Sequence, residues 1–313
     1  MQRSFYYWKT VFNLSPKEKQ ALTELGINKL YVRFFDIDWS EGTNTALPVA
    51  KSIFSQSPPA NLSIIPVIFI TQEPLKYLSK QGLDSLAANI NTLLSSITIN
   101  NHLLLTNEVQ VDCDWTQSTK ENYFYLLTQL KRQPFFNQRL LSATIRLHQL
   151  KFIQQTGVPP VDKGLLMCYN MGNLRHPQTK NSIIDEAEVK KYTNSLHTYP
   201  LALDVALPIF DWWILFDGEK YKGLVRDFTP GEAWKDKEQI QFTRDTIING
   251  TAFTAGQWLR HEGSSMEAVQ KSATILSNKL KVKELTVILY HLNEDNLAKY
   301  SRYELQSFFD SFH

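Results

Sequence analysis

Residues 109–116 read VQVDCDWT and place two aspartates inside a stretch that otherwise resembles a buried strand. Alternate side chains of a strand face opposite sides. The apolar residues at the odd positions 109–115 therefore share one face, and Gln110, Asp112 and Asp114 share the other. Burying a carboxylate is costly unless it is paired or used. The stretch predicts a strand that packs its apolar face on helices. Its carboxylates then point into an interior where they are paired or take part in function.

Strand-like runs recur along the chain, and most of them are followed by a helix signal. Eight strand-like runs cover residues 4–12, 29–39, 62–72, 108–115, 140–150, 163–171, 201–210 and 285–292. Strands alternating with helices favour parallel pairing with right-handed crossovers. Eight such units in 313 residues predict a single (β/α)8 TIM barrel domain over residues 1–313. An open doubly wound sheet is the alternative, but the glycine-rich loop typical of that fold is absent from residues 4–19.

One region departs from this alternation of strands and helices. Residues 211–282 separate the seventh and eighth runs, with a hairpin turn predicted at Asp217-Gly218 and a helix predicted after Ser264. Further helix starts are predicted at Ser15 and Ser301, each followed three residues later by a glutamate. We interpret residues 211–282 as an elaborated connection on the barrel.

Composition narrows the classes of partner. The net charge of +2 comes without a dense basic patch, which argues against nucleic acid. No run of about 18 apolar residues is present, so no membrane span is predicted. Cys113 and Cys168 fall inside strand runs and are expected to be buried fillers. No spaced ligand motif supports a metal site, no cofactor is predicted, and the oligomeric state stays open.

Polar side chains reach the ends of several predicted strands. Arg146 and His148 share the inward face of the fifth run, and the second run ends near Asp38. Barrel active sites form at the C-terminal ends of the strands. We therefore expect Asp38, Asp114 and His148 at one mouth, together with Tyr169 from the sixth run.

Each of these residues also has a structural interpretation. Asp112 and Arg146 could form an ion pair that fills a polar barrel centre. Asp38 could cap a loop, and His148 could be a hydrogen-bonded interior histidine. In our sequence-based hypothesis Asp112 is the deeper aspartate, tied to Arg146 or to Tyr169. Asp112→Asn is then expected to cost roughly 3–5 kcal/mol by stranding a buried cation, while Asp114→Asn is expected to abolish ligand binding with little change in melting temperature.

Two short motifs resemble those of a known family. Asp112-Cys113-Asp114-Trp115-Thr116 is similar to the D-x-x-D-x-D-x-E motif of chitinase-like family 18 glycoside hydrolases, and Met167-Cys168-Tyr169 is similar to their M-x-Y motif. Strand order and facing agree for both. The whole chain also resembles an uncharacterised bacterial family of barrel proteins grouped with glycoside hydrolases. The resemblance implies a carbohydrate ligand, with Asp114 orienting an acetamido group and Tyr169 supporting Asp114.

The sequence departs from that family at the residue that matters most for hydrolysis. Thr116 stands at the position of the general acid, and a threonine hydroxyl is far too weak an acid to protonate a glycosidic oxygen. Val109 replaces the first aspartate of the motif. Glycoside hydrolysis generally uses two carboxyl groups, so a second one must come from elsewhere. Candidates near predicted mouths are Glu41, Glu73, Asp38 and Glu262.

Glu262 is the most suggestive of these candidates, because it lies in Arg260-His261-Glu262-Gly263 within the connection over the mouth. The alternative is a surface charge beside a helix. Asp114, Asp112 and Glu262 are thus the predicted catalytic residues. The predicted substrate-binding residues are Asp38, Arg146, His148, Tyr169, Asn170 and Trp212.

Two functional hypotheses follow. The first is a glycoside hydrolase-like protein that acts on a polysaccharide or glycoconjugate through Asp114 and a second carboxylate. The second is a carbohydrate-binding protein on a barrel that has lost its general acid. Tryptophans near strand ends and in the connection suit stacking on sugar rings, although such residues often only pack loops. Because polymeric sugars occur mainly outside the cytoplasm, we expect a bacterial protein exported to the periplasm or cell envelope whose leader has been removed, or otherwise a cytoplasmic one.

Overall fold

Eight parallel strands close into a barrel in the computed structural model, which describes residues 1–194, 196–225, 228, 230–231, 234, 237–280 and 284–312. The barrel strands are β1 (Gln2–Tyr7), β2 (Lys29–Ser40), β3 (Ser63–Ile70), β4 (Glu108–Asp112), β5 (Leu140–Arg146), β6 (Lys163–Met167), β7 (Leu203–Pro208) and β8 (Thr286–Tyr290). Neighbours in sequence are neighbours in space, and β1 closes the ring by pairing with both β8 and β2. The predicted TIM barrel is confirmed, and the open sheet is excluded.

Helices follow most strands and cover the outside of the barrel. They are α1 (Pro16–Glu24), α2 (Gln72–Tyr77), α3 (Lys80–Asn100), α4 (Lys120–Lys131), α5 (Leu147–Lys151), α6 (Ile153–Thr156), α7 (Glu186–Tyr192), α8 (Met266–Lys279), α9 (Glu294–Leu297) and α10 (Arg302–Asp310). The described residues include no helix long and apolar enough to cross a bilayer.

The predicted helix starts at Ser15 and Ser301 are confirmed, because each forms a capping box with the glutamate three residues on. The third predicted start is off by one residue, because Ser265 rather than Ser264 caps α8 by accepting from the Ala268 N–H. The fifth run, predicted to be strand through residue 150, changes at Arg146. There the Gln149 side chain accepts the Arg146 N–H at 2.8 Å and starts α5.

The alternation read from VQVDCDWT holds in three dimensions. The odd-numbered residues from Val109 to Trp115 pack in the apolar core, and Cys113 and Cys168 are both buried free thiols. Gln110 faces the barrel interior and accepts a hydrogen bond from the Tyr6 hydroxyl. The strand itself ends at Asp112, so Asp114 lies just beyond it at the mouth.

Further strands decorate the ends of the barrel. Thr45–Val49 pairs antiparallel with the end of β2, and Val11–Phe12 pairs with Ile53–Phe54. Between β7 and β8 an antiparallel sheet forms from Lys220–Val225, Asp211–Asp217, Gln257–Gly263 and Gln239–Gln241, in that order. A small hairpin, Thr246–Ile248 with Thr251–Phe253, follows the same connection. The predicted turn at Asp217-Gly218 joins the first two strands of this insertion sheet, and the elaborated connection is confirmed.

Candidate active site

Asp114 and Arg146 form the first polar feature of the barrel mouth. The Arg146 guanidinium donates from Nε to Oδ1 of Asp114 at 2.5 Å and from Nη2 to Oδ2 at 2.8 Å. The Asp114 side chain is 43% exposed and that of Arg146 is 19% exposed. Such a fork-to-fork pair fixes both planes. The expected tie between Asp112 and Arg146 is therefore wrong: the guanidinium reaches the outer aspartate.

Asp112 lies deeper and is bound differently. Its Oδ1 accepts the Thr144 hydroxyl at 2.7 Å, and the residue is only 6% exposed. Among the described residues no cation lies within ion-pair distance of it. Burial raises the pKa of Asp112 to about 6, helped by the neighbouring charge of Asp114, while Arg146 and the Thr144 hydrogen bond oppose the shift. The mouth therefore contains a carboxyl group that exchanges its proton near neutrality.

β2 contributes a second arginine–aspartate pair. Arg33 donates from Nε to Oδ1 of Asp36 at 2.6 Å, and both side chains are 14% exposed. Asp38 binds local groups instead: its Oδ1 accepts hydrogen bonds from the Trp39 N–H at 2.9 Å and from the Thr71 hydroxyl at 2.7 Å. These contacts are those of the loop-capping alternative for Asp38.

An aromatic floor crosses the mouth beside these charges. Trp8 and Tyr290 have ring centroids 5.8 Å apart, and Tyr290 lies 5.0 Å from Tyr169 and 5.7 Å from Phe210. Phe210 in turn contacts Trp212 at 5.3 Å. Trp8, Tyr290 and Trp212 are each partly exposed. This aromatic floor is the kind of surface on which the C–H face of a sugar ring stacks.

Tyr169 lies under the floor and is 2% exposed. Its hydroxyl has no hydrogen-bond partner among the described residues. Burial raises the pKa of this hydroxyl well above its usual value, so it stays protonated. A buried hydroxyl without a partner is uncommon and marks a place where a ligand or water could accept a hydrogen bond.

Two further predicted residues lie on the rim. His148 is on α5 and exposed, where the sequence predicted an inward strand position. Partial burial, and then the charge of Arg146, lowers its pKa. Asn170 is exposed, has a φ of 53° and donates its backbone N–H to Ile183 O at 2.8 Å. It lines a cavity of about 790 Å³ with Trp212 and Tyr290.

Thr116, at the position of the family's acid, is exposed just after Asp114. Its hydroxyl lies 2.9 Å from Ser118 Oγ and 3.3 Å from Thr119 Oγ1. Gln72 at the start of α2 donates to the Asp114 carbonyl at 2.8 Å and accepts weakly from Thr116. Position 116 therefore contributes a polar hydroxyl cluster beside Asp114.

Glu262 is not the surface charge of the alternative interpretation. It is in the insertion-sheet strand Gln257–Gly263, directly across from Trp212, and is 2% exposed. Its Oε2 accepts from the Ser182 N–H at 2.9 Å, from the Ser182 hydroxyl and from the Trp212 indole N–H at 3.0 Å. Its Oε1 lies 2.8 Å from Arg260 Nη2 without hydrogen-bond geometry. These contacts occupy the carboxylate.

Sequence reasoning missed Trp8 and Tyr290, which supply the centre of the aromatic floor. Both sit at or just past the C-terminal end of a barrel strand, so the rule that selected Asp114 could have found them. No group of three or more histidine, cysteine, aspartate or glutamate side chains in the described ranges is arranged to hold a metal ion.

Comparison with solved structures identifies the fold. The spore cortex-lytic enzyme SleL of Bacillus megaterium superposes with a TM-score of 0.58 at 12% identity, covering 100% of this chain and 74% of SleL. The GH18 chitinase ChiB from the chitin utilization locus of Flavobacterium johnsoniae gives 0.55 at 13% identity, covering 98% and 93%. The chain has the fold of a family 18 chitinase.

A third similar structure is the Group IV chitinase of Ostrinia furnacalis in complex with allosamidin, with a TM-score of 0.57, 12% identity and coverage of 99% and 98%. No protein-family model matches the sequence. No curated protein matches it either. The family 18 likeness is therefore one of fold, and the roles of individual residues depend on the geometry of this mouth.

Proposed function

We propose that the protein binds a carbohydrate chain at the barrel mouth and does not cleave it by the family 18 mechanism. The observation that carries the proposal is the aromatic floor from Trp8 through Tyr290 to Trp212, beside the Asp114–Arg146 pair. Aromatic surfaces stack on sugar rings, and a fixed polar pair at one end orients the hydroxyl or acetamido groups.

Three features argue against family 18 hydrolysis. Thr116 cannot deliver a proton to a glycosidic oxygen, because a hydroxyl group is too weak an acid at neutral pH. Asp114 accepts hydrogen bonds from two nitrogens of the Arg146 guanidinium, which engages both of its carboxylate oxygens. Glu262, the other candidate acid, is buried among its own donors.

The class of ligand is suggested by the proteins that share the fold. Two of them are named as chitinases, and the third as a spore cortex-lytic enzyme. We take a chitooligosaccharide as the first probe, because its acetamido groups offer both hydrogen-bond donors and acceptors to a site that holds an Asp–Arg pair.

Hydrolysis through Asp112 is the second candidate, and one observation favours it. A carboxyl group with a pKa of about 6 is half protonated near that pH and can donate or accept a proton. In this candidate Asp112 replaces the missing acid at position 116. The two candidates differ in a measurable product, since only hydrolysis releases new reducing ends.

Calorimetric titration with chitohexaose, alongside a reducing-end assay, separates these functions. We expect binding without product, and a loss of affinity of about tenfold or more in Tyr290→Ala and in Trp8→Ala, since each removes a stacking surface. Asp114→Asn is expected to weaken binding by a similar factor. Tyr303→Ala changes an aromatic residue that is 84% exposed on α10 and serves as the matched control.

Reducing ends that appear with the wild type and vanish in Asp112→Asn would establish the second candidate. If chitohexaose does not bind, an array of other glycans tests whether the protein binds any carbohydrate. A protein that binds none of them has a different function.

A further inference from the structure

We infer that Glu262 is a positioning residue that sets the orientation of Trp212 on the aromatic floor and ties it to the loop between β6 and α7. This inference rests on the proposed carbohydrate-binding function. It assigns a role to a buried carboxylate whose place in the structure does not suit proton transfer to a ligand.

The contact between Glu262 and Trp212 is directional. The two residues face each other across the insertion sheet, and the indole N–H donates to Oε2 at 3.0 Å. An indole has a single donor, so this bond fixes the ring rotation about its side-chain torsions. Trp212 is partly exposed, contacts Phe210 at 5.3 Å and lines the 790 Å³ cavity with Tyr290. The orientation of this ring decides whether its face continues the aromatic floor.

The same oxygen also holds the loop after β6. Ser182 donates to Oε2 through both its backbone N–H and its hydroxyl. Beside it, Asn181 donates to the Gly263 carbonyl at 2.7 Å. Arg260, 3% exposed, donates to the carbonyls of Leu174, His176 and Pro177 at 2.8–3.0 Å. The insertion sheet and this loop are thus fastened at Arg260 and at Glu262, the residue that lies opposite Trp212.

The carboxylate charge strengthens the contacts that Glu262 itself accepts from Ser182 and Trp212. Hydrogen bonds to a charged acceptor are shorter and stronger than those to a neutral one. A glutamine at position 262 retains one acceptor oxygen but brings an amide group, which is a donor, against Arg260 Nη2. The amide must either turn its oxygen toward Arg260 and lose Trp212, or keep Trp212 and oppose Arg260. Glu262→Gln therefore loosens the orientation of Trp212 while keeping the side-chain volume.

The test combines the variants Glu262→Gln, Trp212→Phe and their double mutant. Titration with chitohexaose reports affinity, and the indole N–H signal of Trp212 in ¹⁵N-labelled protein reports the contact itself. We expect each single variant to weaken binding about three- to tenfold. The affinity of the double mutant for chitohexaose should be no lower than that of the single variant with the lower affinity, because both changes break the same contact. The indole signal should shift or broaden in Glu262→Gln.

Two controls match these changes. Glu267→Gln makes the same substitution at a glutamate whose side chain is 76% exposed and pairs with Lys271 on the same helix. Trp258→Phe removes an indole N–H that donates to the Gly218 carbonyl in the same sheet. Both should bind as the wild type does, and circular dichroism should confirm that every variant is folded.

Wild-type affinity in a folded Glu262→Gln would overturn the inference, and so would additive losses in the double mutant. If the wild type binds no glycan at all, the proposed function fails. The indole signal then still decides whether Glu262 orients Trp212, and an unchanged signal rejects that role. Should Glu262→Gln fail to fold, Ser182→Ala with Trp212→Phe supplies the same cycle, since Ser182 shares the Oε2 acceptor.

Discussion

Asp112 and Asp114 lie two positions apart and have opposite surroundings. Asp114 is half-exposed and held by a guanidinium, whereas Asp112 is buried and held by a hydroxyl. The raised pKa of Asp112, about 6 against an ordinary 3.8, means that the folded chain favours its protonated form. Its contribution to stability is therefore complete below about pH 4 and is lost as the pH rises through about 6.

Asp112→Asn tests this directly. Raising the pKa of Asp112 from 3.8 to about 6 corresponds to a penalty of about 3 kcal/mol in the wild type above pH 6. Asparagine keeps an acceptor for the Thr144 hydroxyl and cannot ionise. The free energy of unfolding of the variant, relative to the wild type, should therefore rise by about 3 kcal/mol between pH 4 and pH 7 in urea titrations.

Asp84→Asn, at an exposed carboxyl group on α3, is the matched control. A variant Asp112→Asn that loses several kcal/mol at pH 7 would mean that the carboxylate is ionised and paired. The sequence-based expectation of that loss came from placing Arg146 against Asp112. Strand alternation predicts which residues face inward, but the choice between two inward aspartates depends on the reach of the arginine from the last position of β5.

At the scale of elements, the loop between β6 and α7 folds back on itself at one of its own residues, Gly172. A Cβ on Gly172 would lie 2.8 Å from the backbone Cα of Ser182 and 3.2 Å from the Asn181 carbonyl oxygen. Backbone atoms cannot move aside as a flexible side chain can. Gly172 also donates its N–H to the Ser182 carbonyl at 3.1 Å, so the two stretches are closely joined.

Gly172→Ala is expected to separate the two stretches of this loop that meet at Gly172 and Ser182. The clash should lower the free energy of unfolding by about 1–3 kcal/mol, the usual range for overpacking. Gly42→Ala is the control, because a Cβ there meets nothing within 4 Å. Urea unfolding of both variants provides the measurement. Equal stabilities for the two would show that the loop accommodates a side chain at position 172.

Strand positions were predictable because each barrel strand is a short, largely apolar run, with clear period-two alternation in β4 and β5, and two helix starts were predictable from their capping boxes. The end of β5 was not. The sequence LLSATIRLHQL keeps alternating past Arg146, so only the capping contact from Gln149 shows where the helix begins. That shift moved His148 from the interior to an exposed rim, and it depends on one side-chain hydrogen bond.

At the scale of the whole molecule, the two ends of the chain meet. α10 packs against β1, where Phe309 contacts Phe5 edge-on with centroids 6.4 Å apart, and Arg3 pairs with Asp310 at 2.6 Å. Phe308 and Phe309 are fully buried. β1 also closes the barrel by pairing with β8 and β2. The last helix therefore supports the strand on which barrel closure depends.

Phe309→Ala should consequently cost about 3–5 kcal/mol, as is usual when a fully buried phenylalanine is truncated. Tyr303→Ala removes an aromatic ring from the same helix at a position that is 84% exposed, and should change stability by less than about 0.5 kcal/mol. Urea denaturation followed by tryptophan fluorescence measures both. A small effect at Phe309 would indicate that α10 frays from the barrel without loosening β1.

Cys113 stands between the two aspartates and points away from them, into the layer between barrel and helices. Its thiol is fully buried, and burial raises its pKa well above the usual value. Alkylating reagents attack thiolates that they can reach, so the native chain should shield this sulfur from them. The rate at which a thiol reagent labels Cys113 under native conditions thus reports how often β4 parts from its helices. Labelling of Cys113 therefore measures the local opening of the part of the barrel that carries Asp112 and Asp114.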